Sequence, residues 1–144
     1  ILLAAVLIAI PKTRKSGVIV MVALVFDVIL CNGILKNLVG RIRPCDINTA
    51  VQLLVPRPTD FSFPSGHTAA SFTAVTALYC AGEKKLWKIS LVLAVLIAFS
   101  RLYLYVHYPT DILGGILVGL LCGYIGSVAG KYLYKTAEKK LANR

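Results

Sequence analysis

Apolar residues in this chain come in long blocks separated by short polar breaks, with no alternation inside the blocks. The blocks cover residues 1–10, 17–38, 65–81, 86–106 and 109–134. The last four are each close to the roughly 17–25 residues a helix needs to cross a bilayer. Strands would show a period of two, and lipid admits only helices or closed barrels. The pattern therefore predicts an all-α integral membrane helical bundle, four full spans plus an N-terminal fragment, as a single domain over residues 1–144. As a helix, residues 1–10 rise only about 15 Å, half of a roughly 30 Å hydrocarbon core. They read as the tail of a membrane helix that starts before Ile1. A signal-peptide remnant is the alternative, and Pro11-Lys12 with no small-residue cleavage site speaks against it. The last block carries Gly115, Gly119 and Gly123 at four-residue spacing, then Gly126 and Gly130, a pattern for close helix packing.

Composition strengthens the membrane reading. The chain is 58% hydrophobic, above the roughly 45–50% of soluble domains, and its mean hydropathy is +0.78. Its formal net charge of +10 invites a nucleic-acid reading. The basic residues lie between apolar runs, however, so an anionic membrane surface and an anionic substrate explain them better, and no nucleic-acid partner is expected. Lys and Arg also orient the bundle. Lys12, Arg14, Lys15, Lys84, Lys85, Lys88, Lys131, Lys135, Lys139, Lys140 and Arg144 fall on one side. Lys36, Arg41, Arg43, Arg57 and Arg101 fall on the other. The richer side is expected to be cytoplasmic, with Arg41 and Arg57 as mere background charge on the outer side. The outer side carries the longest connection, 39–64, which Pro44, Pro56, Pro58 and Pro64 interrupt; a loop this long is usually functional.

The polar residues at the outer ends carry the chemistry. Lys36 and Arg43 are close to two helical turns apart and can face one site if the helix continues past Leu38, with Pro44 ending it. A compact charge and a bidentate fork suit a phosphate, although two cations snorkelling at a helix end would look the same. In Pro64-Ser65-Gly66-His67, Ser65 is a helix cap and Gly66 admits a ligand to the first amides, which can cradle a phosphate. His67 falls in that first turn; an ordinary capped helix start is the plainer alternative. Arg101, after Ser100, lies inside an apolar block and must face a cavity or an anion. His107 precedes a helix begun at Pro109, and Asp111 falls in its first turn. The Asp111 carboxylate can take the Nδ1 proton of His107 and leave Nε2 free as a nucleophile. An interfacial His with a capping Asp is the alternative, and it leaves Arg101 unexplained.

The three elements KNLVGRIRP, PSGH and SRLYLYVHYPTD together resemble the signature of the type 2 phosphatidic acid phosphatase family, membrane lipid-phosphate phosphatases related to vanadium haloperoxidases. The resemblance spans Lys36 to Asp111 and fills every signature position. It implies a six-helix architecture with an outward-facing site, of which this chain lacks about the first helix and a half. It also implies roles. Lys36, Arg43 and Arg101 would bind phosphoryl oxygens, with donors from Ser65 and Gly66. His107 would attack phosphorus to form a phosphohistidine, supported by Asp111, while His67 protonates the leaving oxygen. Ser100 would be supporting. No metal and no cofactor is expected, because the cations carry the neutralising charge.

The expected substrate is a lipid phosphate or pyrophosphate, with undecaprenyl diphosphate favoured. Phosphatidic acid, phosphatidylglycerophosphate or phosphotransfer to a second lipid are the alternatives. A phosphate-lipid-binding transporter or scaffold is the non-enzyme reading, which needs neither His107 nor Asp111. The expected location is a bacterial plasma membrane, with the site on the extracytoplasmic face; the sequence sets no oligomeric state. Asp27, mid-span, is expected to bond a neighbouring helix. Tyr103, Tyr105 and Tyr108 are expected to form an interfacial belt. The 4 cysteines show no metal or disulfide spacing; Cys45, in the loop, is the candidate for a reactive thiol.

Overall fold

The structure is a computed structural model that describes residues 1–142, so the cytoplasmic assignment of Arg144 lies outside the described residues. All regular elements among them are helical: α1 (Leu2–Ala9), α2 (Arg14–Asp27), a π-helical stretch (Val28–Leu35), α3 (Lys36–Val39), α4 (Pro44–Ile47), α5 (Gly66–Ala81), α6 (Leu86–Tyr103) and α7 (Pro109–Ala142). Three stretches are long and apolar enough to cross a membrane, Arg14–Ile47, Leu86–Tyr103 and Pro109–Leu141. The remaining expected span, α5, has 16 residues and rises about 24 Å. The 17–38 block is divided among α2, the π-helical stretch and α3, α6 stops at Tyr103 short of residue 106, and α7 runs on past residue 134 to Ala142.

α5 is the hub, packing against α2, α6 and α7. The glycines of α7 explain how. A Cβ on Gly115 would lie 2.8 Å from the Ser65 carbonyl, on Gly119 2.6 Å from the Ala69 carbonyl, and on Gly123 2.5 Å from the Thr76 Cβ. Gly126 and Gly130 instead abut Ala23 and Ile19 of α2. One helix thus holds α5 with one run of small residues and α2 with the next, which bears out the packing reading. Buried apolar residues fill the remaining space in two clusters. Ile19, Val20, Ala23 and Leu78 lie in the one toward α1, and Phe72, Val75, Ala98 and Ile112 in the one toward α6. The outer faces of α6 and α7 are apolar and exposed, as at Leu96, Phe99, Leu117 and Leu121. In water these would be costly patches; against acyl chains they are solvated.

Two local expectations are corrected. The helix bearing Lys36 does not continue toward Arg43: it stops at Val39, and Gly40 takes a left-handed conformation at φ 60°, which glycine adopts without steric cost. Pro44 accordingly does not end a helix but opens α4, at the position where its missing N–H costs nothing. Asp27 is buried and turned toward Thr73 of α5. Neither Asp27 Oδ1 nor Thr73 Oγ1 has a hydrogen-bond partner among the described residues, so the expected interhelical bond is not closed.

Candidate active site

Lys36 leaves the start of α3, Arg43 the turn before α4, Gly66 and His67 the first turn of α5, Arg101 the last turn of α6, and His107 the turn before α7. All six line one cavity of about 100 Å³. Three of them also line a wider one: Lys36, Gly66 and His67 continue, with Asn32, Asp60 and Ala70, around an adjoining space of about 360 Å³. The helix stops at Gly40, and the turn there leaves Arg43 and Lys36 both paired with Asp60.

His107 is buried. Arg43 Nη1 lies 3.2 Å from its Nε2 and donates to the Val106 carbonyl at 2.8 Å. A guanidinium can only donate, so Nε2 is the accepting nitrogen and the ring proton sits on Nδ1. Nδ1 faces Asp111 Oδ2 at 3.5 Å, a long contact compared with an ordinary hydrogen bond. The shorter bonds to Asp111 come from elsewhere. Ser62 Oγ donates to Oδ2 at 2.5 Å, the Tyr108 amide donates to Oδ2 at 2.9 Å, and Arg41 Nη1 donates to Oδ1 at 2.9 Å. Asp111 also reaches back through its main chain, its carbonyl accepting from the Ser65 amide at 3.1 Å. Burial lowers the His107 pKa below the ordinary histidine value, and Arg43 and Lys36 push it the same way against the opposing pull of Asp111.

Asp60 occupies the cation side. Its carboxylate pairs with Lys36 Nζ and with Arg43 Nη2 at 2.6 Å, and its carbonyl accepts from Arg43 Nε at 2.8 Å. Burial would raise this carboxyl, but hydrogen bonds from Lys36 and Arg43 outweigh it and hold the group below the usual carboxylate range. Among the described residues, Arg101 Nε and Nη2 bond only Ser100 Oγ, at 3.2 and 3.1 Å, so Ser100 orients that guanidinium. Ser65 sits at the cap position of α5 but makes no capping bond with its side chain. It is fully buried, accepts from Thr68 Oγ1 at 3.0 Å, and is not part of the cavity wall.

Asp60, Ser62 and Arg41 are the polar partners that the sequence reading missed. Arg41 is not background charge: it bonds Asp111 and Thr110 and stacks over Tyr108 at 4.0 Å. Tyr108 is half-buried beneath a cation, whereas Tyr103 and Tyr105 are exposed, at 80% and 39%. Arg57 pairs with Asp46 at 2.9 Å away from the cavity. The one available signal was Asp60 itself, one of only 6 acidic residues, placed just before a phosphate-type motif. Ser62 carries no periodic or motif signal. Cys45 is corrected as well: it is fully buried, so the expected reactive thiol is out of reach.

A membrane bundle that gathers cations, two imidazoles and a helix N-terminus at one end of its helices has the form of a membrane phosphatase. The chain belongs to the PAP2 superfamily, whose family model matches residues 16–135. It is 34% identical over 115 residues to an undecaprenyl-diphosphatase of Sulfolobus acidocaldarius, covering 80% of this chain and 55% of that one. It is 38% identical over 106 residues to phosphatidylglycerophosphatase B of Bacillus subtilis, covering 67% and 49%. Among solved structures, Aquifex aeolicus LpxE matches with a TM-score of 0.73 at 35% identity, over 86% of this chain and 73% of that one. The chain spans about half the length of the first of these curated relatives, 55%.

Proposed function

We propose that this protein is a metal-independent phosphatase for lipid phosphates, with a lipid pyrophosphate of the undecaprenyl type as its preferred substrate, working through a phosphohistidine on His107. The observation that carries this reading is the accepting Nε2 of His107, 3.2 Å from Arg43 at a cavity also lined by Lys36, His67 and Arg101. A phosphoryl group held by those cations lies beside the Nε2 lone pair of His107. The Nε2 lone pair attacks phosphorus, the bond from phosphorus to the leaving oxygen breaks, and His67 gives that oxygen a proton. Asp111, held by Arg41 and Ser62, faces the Nδ1 proton and stabilises the imidazolium of the phosphohistidine. Water then attacks phosphorus, giving its proton to His67, and phosphate leaves His107 free. An incoming phosphate must displace the Asp60 carboxylate from Lys36 and Arg43.

Among the described residues no group of three or more His, Cys, Asp or Glu is placed to hold a metal ion, and the cations supply charge neutralisation in its stead. The relatives' names support lipid pyrophosphate most often, with phosphatidylglycerophosphate as the second choice. In this reading α5 completes four spans, the protein lies in a bacterial plasma membrane, and the site opens on the extracytoplasmic side.

The test is phosphate release from a panel of lipid phosphates by purified protein in detergent, with EDTA present. Wild type should release phosphate, most readily from the pyrophosphate, and His107→Ala should lose at least about a thousandfold, as expected for a lost nucleophile. Turnover by His107→Ala, or activity that EDTA abolishes and one divalent ion restores, overturns the mechanism. Binding of lipid phosphate without release would favour the transporter or scaffold reading.

A further inference from the structure

We infer that Asn32 and the outer cavity form a leaving-phosphate subsite that selects lipid pyrophosphates over lipid monophosphates, an inference that rests on the lipid-phosphatase reading above. Lys36, Asp60, Gly66 and His67 are shared by the two cavities, and phosphate enters by displacing the Asp60 carboxylate from Lys36. His107 and Arg101 stand only on the smaller cavity, Asn32 only on the larger. A phosphorus attacked by His107 sits in the smaller one. The bond that breaks points past His67 into the larger one. Whatever leaves therefore lies between His67, Lys36 and Asn32.

The π-helical stretch places Asn32 there. The Lys36 amide bonds the Cys31 carbonyl, a five-residue step that widens the last turn before α3. Residues four apart still share a face, so the Asn32 carboxamide and the Lys36 ammonium stand one above the other. Gly66 leaves room for the amide: a Cβ at that position would lie 3.0 Å from Asn32 Oδ1. The carboxamide thereby reaches the first turn of α5, whose amides form the positive end of a 16-residue helix. The Asn32 side chain is exposed and makes no hydrogen bond among the described residues, so its two N–H donors are free.

The chemistry of these groups discriminates between leaving groups. From a pyrophosphate, a lipid-linked phosphate leaves, and its anionic oxygens match a shared ammonium, an amide donor and a helix N-terminus. From a monophosphate, an alkoxide leaves with a hydrocarbon chain directly behind it. That chain offers Asn32 no acceptor and leaves the polar wall unpaired. The cost of that mismatch separates the two substrates.

The experiment compares wild type, Asn32→Ala and Asn32→Asp as full chains in detergent. Two ratios are read: kcat/KM for a lipid pyrophosphate over that for the monophosphate of the same lipid, and inhibition by inorganic pyrophosphate over inhibition by orthophosphate. Asn32→Ala should lower both ratios about tenfold, as expected for one hydrogen bond to a charged group. Asn32→Asp, equal in size but negative, should lower them further. Ratios within about twofold of wild type in both variants overturn the subsite. A fall of equal size on both substrates also overturns it, because a merely structural role would not discriminate. If wild type releases phosphate from the monophosphate alone, the subsite and the pyrophosphate preference both fall while the phosphatase reading stands. If it releases none from any lipid, the phosphatase reading falls too.

Discussion

His107 is tuned by its neighbours rather than by its own chemistry. Burial and the cations Arg43 and Lys36 lower its pKa, while Asp111 opposes them. A lowered pKa means that the proton leaves at a lower pH, so the neutral imidazole that the proposed attack requires persists as pH falls below about 6.5. A histidine NMR titration in detergent should place the His107 midpoint below that value, and Asp111→Asn, removing the opposing charge, should move it lower still. A wild-type midpoint at or above 6.5 would contradict the arrangement. Asp60 supplies a second test at this scale. Its carboxylate pairs with Lys36 and Arg43, the two cations proposed to hold the substrate phosphate. Asp60→Ala should therefore tighten inhibition by orthophosphate by about three- to tenfold, the worth of a charge-assisted competitor on an exposed rim. Weaker inhibition in the variant would mean that Asp60 helps to build the phosphate site instead.

At the scale of elements, the site depends on how closely α7 approaches α5. His107 and Asp111 ride at the start of α7, while Gly66 and His67 ride at the start of α5, and the Ser65 amide to Asp111 carbonyl bond of 3.1 Å ties the two starts together. Gly119 sets that approach further down. Gly119→Ala would push a Cβ to 2.6 Å from the Ala69 carbonyl, an overpacking that costs about 1–3 kcal/mol. Thermal unfolding in detergent should show a clear fall in Tm for Gly119→Ala. Gly33→Ala is the control, because its nearest neighbour would be 3.8 Å away and alanine is the better helix former. Equal Tm values for the two variants would show that α5 and α7 are not held by that contact.

For the whole molecule, the distribution of Lys and Arg predicts an orientation with the site on the extracytoplasmic side. Cys45 cannot report on this, being fully buried. Asn48 is exposed in the connection after α4, and Lys139 is exposed near the end of α7. A membrane-impermeant thiol reagent should label Asn48→Cys in intact cells and Lys139→Cys only after permeabilisation. The reverse pattern would place the site on the cytoplasmic side.

The helices and the residues of the three motifs were legible from sequence because each rests on a local rule. An apolar run of span length becomes a helix wherever it lies, and motif spacing is a property of one segment at a time. The small-residue packing of α7 was legible for the same reason. The tertiary structure alone decided which groups meet across segments. Ser62 and Arg41 grip Asp111 from 49 and 70 residues away, and Asp60 closes on Lys36 and Arg43 from 24 and 17 residues away. Such bonds leave no trace in periodicity, because a single polar residue in a loop can point anywhere until the helices around it have packed. Gly40 is the junction between the two kinds of information. Its type is written in the sequence, but only the packed bundle requires the left-handed turn that brings Arg43 to His107.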